Sequence, residues 1–184
     1  PREIGGILWF GNDDGNMVAY VPIYCSNTER AECFNTPGAD AVTFSDKNAF
    51  WVCNWVSNMV YPRYSQLFPA LKEVRDSLDN AFLAAQKGVE AKAEALYATD
   101  KAAAVKYLND YSIQKSNEMI TRWRQLAIHL IVKFNDMTVK PEKDGKFLRT
   151  STGLGERVKR TGYSDYFKRE LVKQTGDKFA VPNK

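Results

Sequence analysis

Two apolar runs near the start of the chain predict a β-hairpin. Residues 7–10 and 18–24 are rich in β-branched and aromatic side chains, and the turn-forming sequence GNDDGN at residues 11–16 separates them. The first run is apolar at every position, which is typical of a strand that is covered on both faces. A two-stranded ribbon is only marginally stable alone. Because no other strongly strand-like run occurs before residue 136, we expect the missing strands of its sheet to lie outside this sequence.

From residue 46 to residue 136, apolar positions recur at intervals of three and four, which predicts helices. Ser45 or Asp46 is the expected N-cap of a first helix that is apolar almost all round and ends near Pro62. Pro69 is expected to start a second helix. Asp100 is expected to cap a third after a link near Thr99, so that the two long helices pack as an antiparallel hairpin. Their expected core-facing residues are Leu71, Val74, Leu78, Phe82, Leu108, Met119, Trp123, Leu126 and Leu130.

The last part of the chain has a different pattern. Beyond residue 136, glycines and Pro141 interrupt any regular period, which predicts an ordered but irregular segment. A short helix is predicted over residues 164–175, with Tyr166, Phe167 and Leu171 facing inward and Gly176 suited to its C-terminus. The fold class is therefore α+β, mostly α. Three parts are predicted: residues 1–45 with the hairpin and a loop, residues 46–136 with the helices, and residues 137–184 with a basic tail and the short helix.

Composition and charge narrow the functional classes. A chain of 184 residues with 44% hydrophobic side chains can bury a core, and no run approaches the roughly 20 apolar residues of a membrane span. The formal net charge is +4, but residues 137–184 hold twelve basic and six acidic side chains. Such a tail can dock on nucleic acid or on an acidic partner, although most basic tails are simply solvated.

The cysteines and the single histidine limit the chemistry. Cys25 and Cys33 have seven residues between them and can close a small disulfide loop in an oxidising compartment, whereas Cys53 lies in an apolar run and is predicted to be a core residue. His129 is the only histidine, and the chain has neither a CxxC nor an HExxH motif. No metal site and no cofactor are predicted.

A polar stripe on the first helix is a further candidate feature. Spacings of three and four residues place its members, Asn54, Ser57, Asn58 and Tyr61, on one face of an otherwise apolar helix. Buried amides need hydrogen-bond partners. The stripe therefore either bonds to neighbouring backbone, which is the more frequent arrangement, or borders a ligand pocket.

Several short motifs, taken in order, resemble a known family. The motifs are LWFG at residues 8–11, VAYVPIYC at 18–25, FWVCNWVSN at 50–58 and YPRYS at 61–65, and then LNDYS at 108–112, IVKFND at 131–136, GKF at 145–147 and TGD at 175–177. Together they resemble the C-terminal part of the dipeptidase A family of N-terminal-nucleophile cysteine peptidases. The resemblance covers essentially the whole chain.

The resemblance implies a four-layer αββα sandwich in which the hairpin joins the central sheets. It also implies a catalytic cysteine far upstream of Pro1, so that this chain holds no catalytic residue. The chain has no initiating Met or signal region at its start, which agrees with an interior start. We expect a C-terminal fragment of a secreted or periplasmic dipeptidase, inactive alone, whose partners are the N-terminal part of the same enzyme and a dipeptide. Whether the enzyme is a homo-oligomer stays open.

In the intact enzyme, the implied substrate needs anchors for its amine and its carboxylate. Asn54, Asn58 and Arg63 are the candidate substrate-binding residues, and the acidic turn Asp13–Asp14 can also contribute. Arg63 and the two aspartates each also have an alternative role that is more frequent than substrate binding. For Arg63 this is a surface ion pair, and for the two aspartates it is a place in a solvated hairpin turn.

Two other functions compete with the dipeptidase hypothesis. One is a non-catalytic helical interaction module whose basic tail binds nucleic acid or an acidic partner, but its basic residues are not interleaved with base-stacking aromatics. The other is weak hydrolysis by a thiol within this chain, which would contradict the core assignment of Cys53. We favour the dipeptidase fragment and expect neither nucleic acid nor a membrane span.

Overall fold

The computed structural model describes residue 1 and residues 3–179, apart from the side chains of Asp177 and Phe179. The last five residues of the predicted tail, 180–184, lie outside the described residues. The chain forms two compact units, Pro1–Leu130 and Ile131–Lys184. The elements in chain order are β1 (Ile7–Phe10), β2 (Val21–Tyr24), α1 (Ala49–Val60), α2 (Tyr64–Tyr97), α3 (Lys101–Phe134), β3 (Thr138–Val139), β4 (Glu142–Lys143), β5 (Lys146–Phe147), β6 (Lys159–Arg160) and α4 (Asp165–Thr175). The described chain is therefore mostly helical, with a small N-terminal strand pair.

The predicted hairpin is confirmed. β1 and β2 pair antiparallel, with Ile7 opposite Tyr24 and Phe10 opposite Val21. The second strand begins at Val21 rather than at residue 18, because Met17, Val18 and Ala19 are buried in the connection instead of extending the ladder.

The two strands of the ribbon are buried to different extents. Val21 and Tyr24 of β2 are buried, whereas Leu8 of β1 is 54% exposed and Phe10 is 37% exposed. The edge of the Phe10 ring contacts Phe34, with 5.2 Å between the ring centres. Within the described part of the chain, the sheet that holds β1 has two strands. β1 is therefore an edge strand in the described chain, and part of its apolar surface is exposed.

The first helix begins later than predicted. Asn48 is the N-cap, and its side-chain oxygen accepts a hydrogen bond from the backbone N–H of Trp51 at 3.3 Å. Ser45 and Asp46 are therefore not the caps. The reason is local: the N–H of Asn48 bonds to the carbonyl of Ser45, so these residues form a turn before the helix. The expected end near Pro62 is confirmed, because α1 gives way to a 3-10 turn at Tyr61–Arg63.

The second helix begins earlier than predicted. α2 begins at Tyr64, so that Pro69 lies inside it and not at its start. A proline at this depth removes one backbone hydrogen bond, but the helix continues. Its first turn is reinforced by stacking of Tyr64 on Phe68, whose ring centres are 4.5 Å apart.

The two long helices pack antiparallel, as predicted. Lys92 Nζ lies 4.6 Å from the centre of the Tyr107 ring, and Lys115 Nζ lies 5.5 Å from that of Phe82. Residues near the end of α2 therefore contact residues near the start of α3, and earlier residues of α2 contact later residues of α3. Asp100 caps α3 as expected, since its carboxylate accepts from the N–H of Ala103 at 2.9 Å.

The core of the unit Pro1–Leu130 joins the hairpin connection to all three helices. Its largest fully buried side chains are Met17, Val18, Val21, Val52, Val56, Val60, Leu71, Phe82, Leu108, Met119, Trp123 and Leu130. Two polar residues of α3 fasten the ribbon and the loop after it: Ser112 Oγ accepts from the N–H of Tyr24 at 3.4 Å, and Asn109 Oδ1 accepts from that of Glu29 at 3.0 Å. Both Ser112 and Asn109 are buried, and these bonds give their side-chain oxygens a partner.

The unit Ile131–Lys184 is irregular, as predicted, apart from two short ladders and α4. β3 pairs with β6, and β4 pairs with β5. Ser164 caps α4 by accepting from the N–H of Phe167 at 3.2 Å, and Gly176 ends it with a φ of 54°.

The expected inward face of α4 is wrong. Tyr166, Phe167 and Leu171 are 68%, 46% and 39% exposed. Tyr163 stacks on Phe167, with ring centres 4.7 Å apart, but the part of this unit that the structure describes provides no layer over that face. The pattern of α4 is amphipathic, and its apolar side faces outward.

Replacing Phe82 with alanine tests the packing of α2. The ring is 1% exposed, so we expect the free energy of unfolding to fall by about 3 to 5 kcal/mol through lost burial and a residual cavity. The neighbouring Leu83 is 55% exposed, and Leu83→Ala should change stability by no more than about 0.5 kcal/mol. Urea unfolding monitored by circular dichroism measures both. Equal losses in the two variants would show that this side of α2 is packed differently.

Candidate functional site

The turn between β1 and β2, residues 11–16, has a defined conformation. Gly11 is required by close packing, because a Cβ there would lie 2.7 Å from Val18 Cγ2. Asp13 has a φ of 70°, a left-handed conformation that few residues other than glycine, asparagine and aspartate adopt. The Asp14 carboxylate accepts from the N–H of Asn16 at 2.8 Å. This acidic turn, residues 11–16, therefore presents two carboxylates in fixed directions.

The Asp13 carboxylate is bound by α1. Asn54 Nδ2 donates to Asp13 Oδ1 at 3.0 Å, and Ser57 Oγ donates to Asp13 Oδ2 at 2.5 Å. Ser57 Oγ is also 3.0 Å from the carbonyl oxygen of Cys53, but a charged acceptor gives the stronger hydrogen bond. Ser57 is 1% exposed, so one oxygen of this carboxylate binds a hydroxyl buried in the helix face.

The other end of the acidic turn is bound by residues beyond the end of α1. Tyr61 Oη donates to the Asp14 carboxylate. Asn16 Nδ2 donates to Tyr64 Oη at 3.0 Å, and Arg75 Nη1 donates to the Asn16 carbonyl at 2.6 Å. The turn is exposed or partly exposed at every residue, as expected of a solvated hairpin turn, but it is also held by residues more than forty positions away in the sequence.

Asn58 and Arg63 make other contacts. Asn58 is exposed, and its amide donates to the carbonyl of Asn54 at 2.8 Å. Arg63 Nε donates to Gln66 Oε1 at 2.9 Å, and partial burial lowers the pKa of this guanidinium. Of the three predicted substrate-binding residues, Asn54 joins the acidic turn. The roles of Asn54, Asn58 and Arg63 in substrate binding stay predictions.

The polar stripe of α1 therefore has mixed partners. Asn58 bonds to neighbouring backbone, as expected of the stripe, and Ser57 also lies within hydrogen-bonding distance of the Cys53 carbonyl. Asn54, Ser57 and Tyr61 donate to the carboxylates of the acidic turn. The sequence assigned no role at the turn to the side chains of Asn16, Tyr64 and Arg75. The motif at residues 61–65 marked Tyr64, but Arg75 lies beside the predicted core stripe of α2, and no local pattern distinguished it.

A small cavity adjoins the acidic turn. It has a volume of about 200 Å³ and is lined by Trp9, Tyr20, Asp79 and Leu83. Tyr20 links it to the turn, because its hydroxyl donates to the Gly15 carbonyl at 3.1 Å and its N–H donates to Asp79 Oδ1 at 2.9 Å. Burial raises the pKa of Asp79. The cavity thus combines aromatic walls with one partly buried carboxyl group.

The three thiols differ in accessibility. Cys25 is exposed, Cys33 and Cys53 are buried, and all three are free within the described chain. Burial raises the pKa of Cys33 to about 11 and that of Cys53 further, so neither is a ready thiolate at neutral pH. The core position of Cys53 is confirmed by its exposure of 0%. The bridge between Cys25 and Cys33 stays a prediction.

Within residue 1 and residues 3–179, no three His, Cys, Asp or Glu side chains come together as a set that could hold a metal ion. In the same part of the chain, no helix has the length and apolarity that crossing a membrane requires.

A match to a known family covers the region that carries this site. Residues 1–77 match the model of peptidase family C69. The C69 match confirms the resemblance for the motifs between residues 8 and 65 and supports a peptide hydrolase, whereas the motifs between residues 108 and 177 lie outside the matched region. It spans β1, β2, α1 and the start of α2, and with them the acidic turn, Asn54, Asn58, Arg63 and all three cysteines. No curated protein matches the chain.

A double-mutant cycle tests the link between the acidic turn and α1. Asp13→Ala and Ser57→Ala should each destabilise the chain, and their effects should be coupled by about 1 kcal/mol, because both remove the same charge-assisted hydrogen bond. Urea unfolding of the single and double variants measures the coupling. The matched control pairs Asp13→Ala with Asn58→Ala, which should be additive because Asn58 bonds to backbone. Additivity in the first cycle would show that Ser57 does not hold the turn.

Thiol labelling tests the accessibility of the cysteines. In the fully reduced, folded chain at pH 8, we expect one cysteine to react rapidly with a disulfide reagent and all three to react in denaturant, because only the exposed Cys25 is accessible. Absorbance of the released thiolate gives the count. Cys25→Ser should remove the rapid phase, and Cys53→Ala should leave it unchanged. Rapid labelling that Cys53→Ala abolishes would contradict the burial of that thiol.

Proposed function

We propose that this chain is the C-terminal part of a dipeptidase whose cysteine nucleophile lies outside it. The observation that carries the proposal is the C69 match over the residues that form the apolar ribbon. The peptidase class rests on that match. Cleavage of dipeptides, the N-terminal cysteine and the position of this chain at the end of a longer enzyme are the proposed parts.

The exposed apolar surface and the unpaired edge of β1 support the proposal that further strands of its sheet lie upstream. Leu8 and Phe10 leave apolar surface in contact with water, and the backbone of an edge strand offers unpaired hydrogen-bonding groups. Pairing with a further strand would satisfy these backbone groups, and a layer packed on the face that carries both side chains would bury them. In the proposed αββα sandwich, that strand belongs to the N-terminal part of the same enzyme.

The cysteines of this chain do not suit the proposed chemistry. An N-terminal-nucleophile enzyme uses the thiol of its first residue to attack the peptide carbonyl, with the free α-amine of the same residue as base. An unperturbed α-amine, with a pKa near 8, can take up that proton at neutral pH. Cys25, Cys33 and Cys53 have amide nitrogens in place of this amine, and Pro1 has no nucleophilic side chain.

The acidic turn suits the ammonium group of a dipeptide. Its two carboxylates lie in one fixed turn, and charge-assisted hydrogen bonds to an ammonium are strong. Asn54 orients Asp13, the cavity beside Tyr20 has apolar walls for a substrate side chain, and Arg63 is the residue able to bind the substrate carboxylate. We therefore propose that this surface contributes to substrate binding in the intact enzyme.

The test of the nucleophile uses the full-length product. We expect it to hydrolyse dipeptides and to be inactivated by iodoacetamide, with the alkylated cysteine mapped by mass spectrometry upstream of Pro1. The 184-residue chain alone is the control and should show no turnover. Alkylation of Cys25, Cys33 or Cys53 in step with inactivation, or turnover by the control, would refute the proposed position of the nucleophile.

The same enzyme tests the acidic turn. Asp13→Asn preserves the shape of the side chain but removes its charge, and we expect KM for a dipeptide to rise about tenfold with kcat nearly unchanged. Asp46→Asn, an exposed residue outside the turn, should leave both constants unchanged. An unchanged KM in Asp13→Asn would assign the turn a structural role alone.

We also propose a secreted or periplasmic location, in which Cys25 and Cys33 form a disulfide. Mass spectrometry of the natural product before and after reduction tests the bridge. A mass that reduction leaves unchanged would remove this support for the location.

A further inference from the structure

A second cavity lies in the unit Pro1–Leu130, apart from the residues of the acidic turn. Its volume is about 150 Å³. It is lined by Pro1, Ile4, Gly5, Gly6, Tyr24, Glu90, Ala93, Glu94 and Leu108. An engineered protein cavity of about this size accommodates benzene, so the space is large enough for a small organic group.

A buried phenol without a partner lines this cavity. Tyr24 is 2% exposed, and its hydroxyl has no hydrogen-bond partner among the described residues. The residue cannot turn away, because its ring packs edge-on against Tyr111 and its N–H bonds to Ser112 Oγ. A hydroxyl in this position has hydrogen-bonding capacity that a guest molecule can use.

Two carboxylates of α2 line the same cavity. Glu90 and Glu94 are four residues apart, which places them on one side of the helix, one turn from each other. Glu90 Oε1 already accepts from Gln86 Nε2 at 2.8 Å. Lys92 lies over the Tyr107 ring and Lys101 over the Tyr97 ring. The terminal amine of Pro1 is a further cation of the cavity lining, and it interacts with Glu3.

The remaining walls are apolar. Ile4, Ala93 and Leu108 are buried and belong to the hydrophobic cluster that also contains the Tyr24 ring. The lining of the cavity therefore combines two carboxylates with apolar side chains. A suitable guest carries a positive charge on a short hydrocarbon stem.

We propose that this cavity binds a primary ammonium group on a short aliphatic stem, through Tyr24, Glu90 and Glu94. An ammonium has three N–H donors, which match the phenol oxygen and the two carboxylates. A carboxylate guest would be repelled, and a neutral guest would gain no charge-assisted bonds. This site lies beyond the substrate-binding surface proposed above and does not depend on it.

The ammonium can come from a free alkylamine or from a lysine side chain of a polypeptide. The two sources present the same chemistry to the cavity. They differ at the far end of the stem, because a lysine brings its backbone to the cavity mouth. A titration with each probe distinguishes them.

The binding experiment uses the whole ¹⁵N-labelled chain. n-Butylammonium chloride, n-butanol and Nα-acetyl-lysine methylamide are titrated at constant ionic strength while the amide signals of Gly5, Gly6 and Ala93 are recorded by NMR. We expect saturable shifts with butylammonium and at least tenfold weaker binding of butanol. Saturation by the lysine derivative with equal or higher affinity would assign the site to a polypeptide side chain, and weaker binding would assign it to a free amine.

Variants locate the interaction. Glu90→Gln combined with Glu94→Gln should weaken butylammonium binding at least tenfold, and Tyr24→Phe should weaken it severalfold without loss of folding, since the lost hydroxyl has no partner in the described chain. Glu73→Gln, on an exposed part of α2, is the matched control and should bind normally. Equal shifts with butanol and butylammonium, no saturation, or unchanged affinity in the double variant would overturn the proposal.

Discussion

The one-sided burial of the N-terminal ribbon is the constraint on which the rest of the structure depends. β2 is pinned to α3 through its backbone at Tyr24, and Val21 and Tyr24 enter the core, whereas β1 remains partly exposed at Leu8 and Phe10. Since β1 is held mainly through β2, each feature attached to the hairpin takes its position from the contact between β2 and the helices. The chain can therefore bury one strand of the ribbon against its helices and still leave part of the other strand exposed.

The acidic turn depends on this arrangement. A hairpin anchored at β2 projects its turn over α1, where Asn54 and Ser57 supply donors to Asp13. Those donors lie on a largely apolar helix, and the carboxylate gives Asn54 an acceptor and gives Ser57 a charged acceptor beside the Cys53 carbonyl. The turn and the polar stripe thus satisfy each other, and the same contacts fix two negative charges beside the cavity at Tyr20. Structural and binding roles are compatible here because a carboxylate can accept more hydrogen bonds than these donors supply.

Local patterns predicted the elements better than their boundaries or their contacts. Helical periodicity indicated α2 and α3, and Asp100 marked a cap, because both signals act within a few residues. The start of α2 predicted at Pro69 is wrong, because stacking of Tyr64 on Phe68 stabilises an earlier turn of the helix. The pairing of Asp13 with Ser57 joins residues 44 positions apart, and no local rule specifies it. The face of α4 was misassigned because amphipathicity shows which side is apolar, not whether the described chain covers it.

The two acidic sites of the unit Pro1–Leu130 differ in how fully their polar groups are used. At the acidic turn, donors from Asn54, Ser57 and Tyr61 already meet the carboxylates, so a ligand there uses only the acceptor capacity that these bonds leave. In the cavity beside Tyr24, the phenol has no partner within the described chain, and a guest would add a bond without breaking one. Tight recognition at the turn therefore needs further groups, which the upstream part of the proposed enzyme would bring. The cavity at Tyr24 needs none, because one unit supplies its acceptors, its apolar walls and its shape.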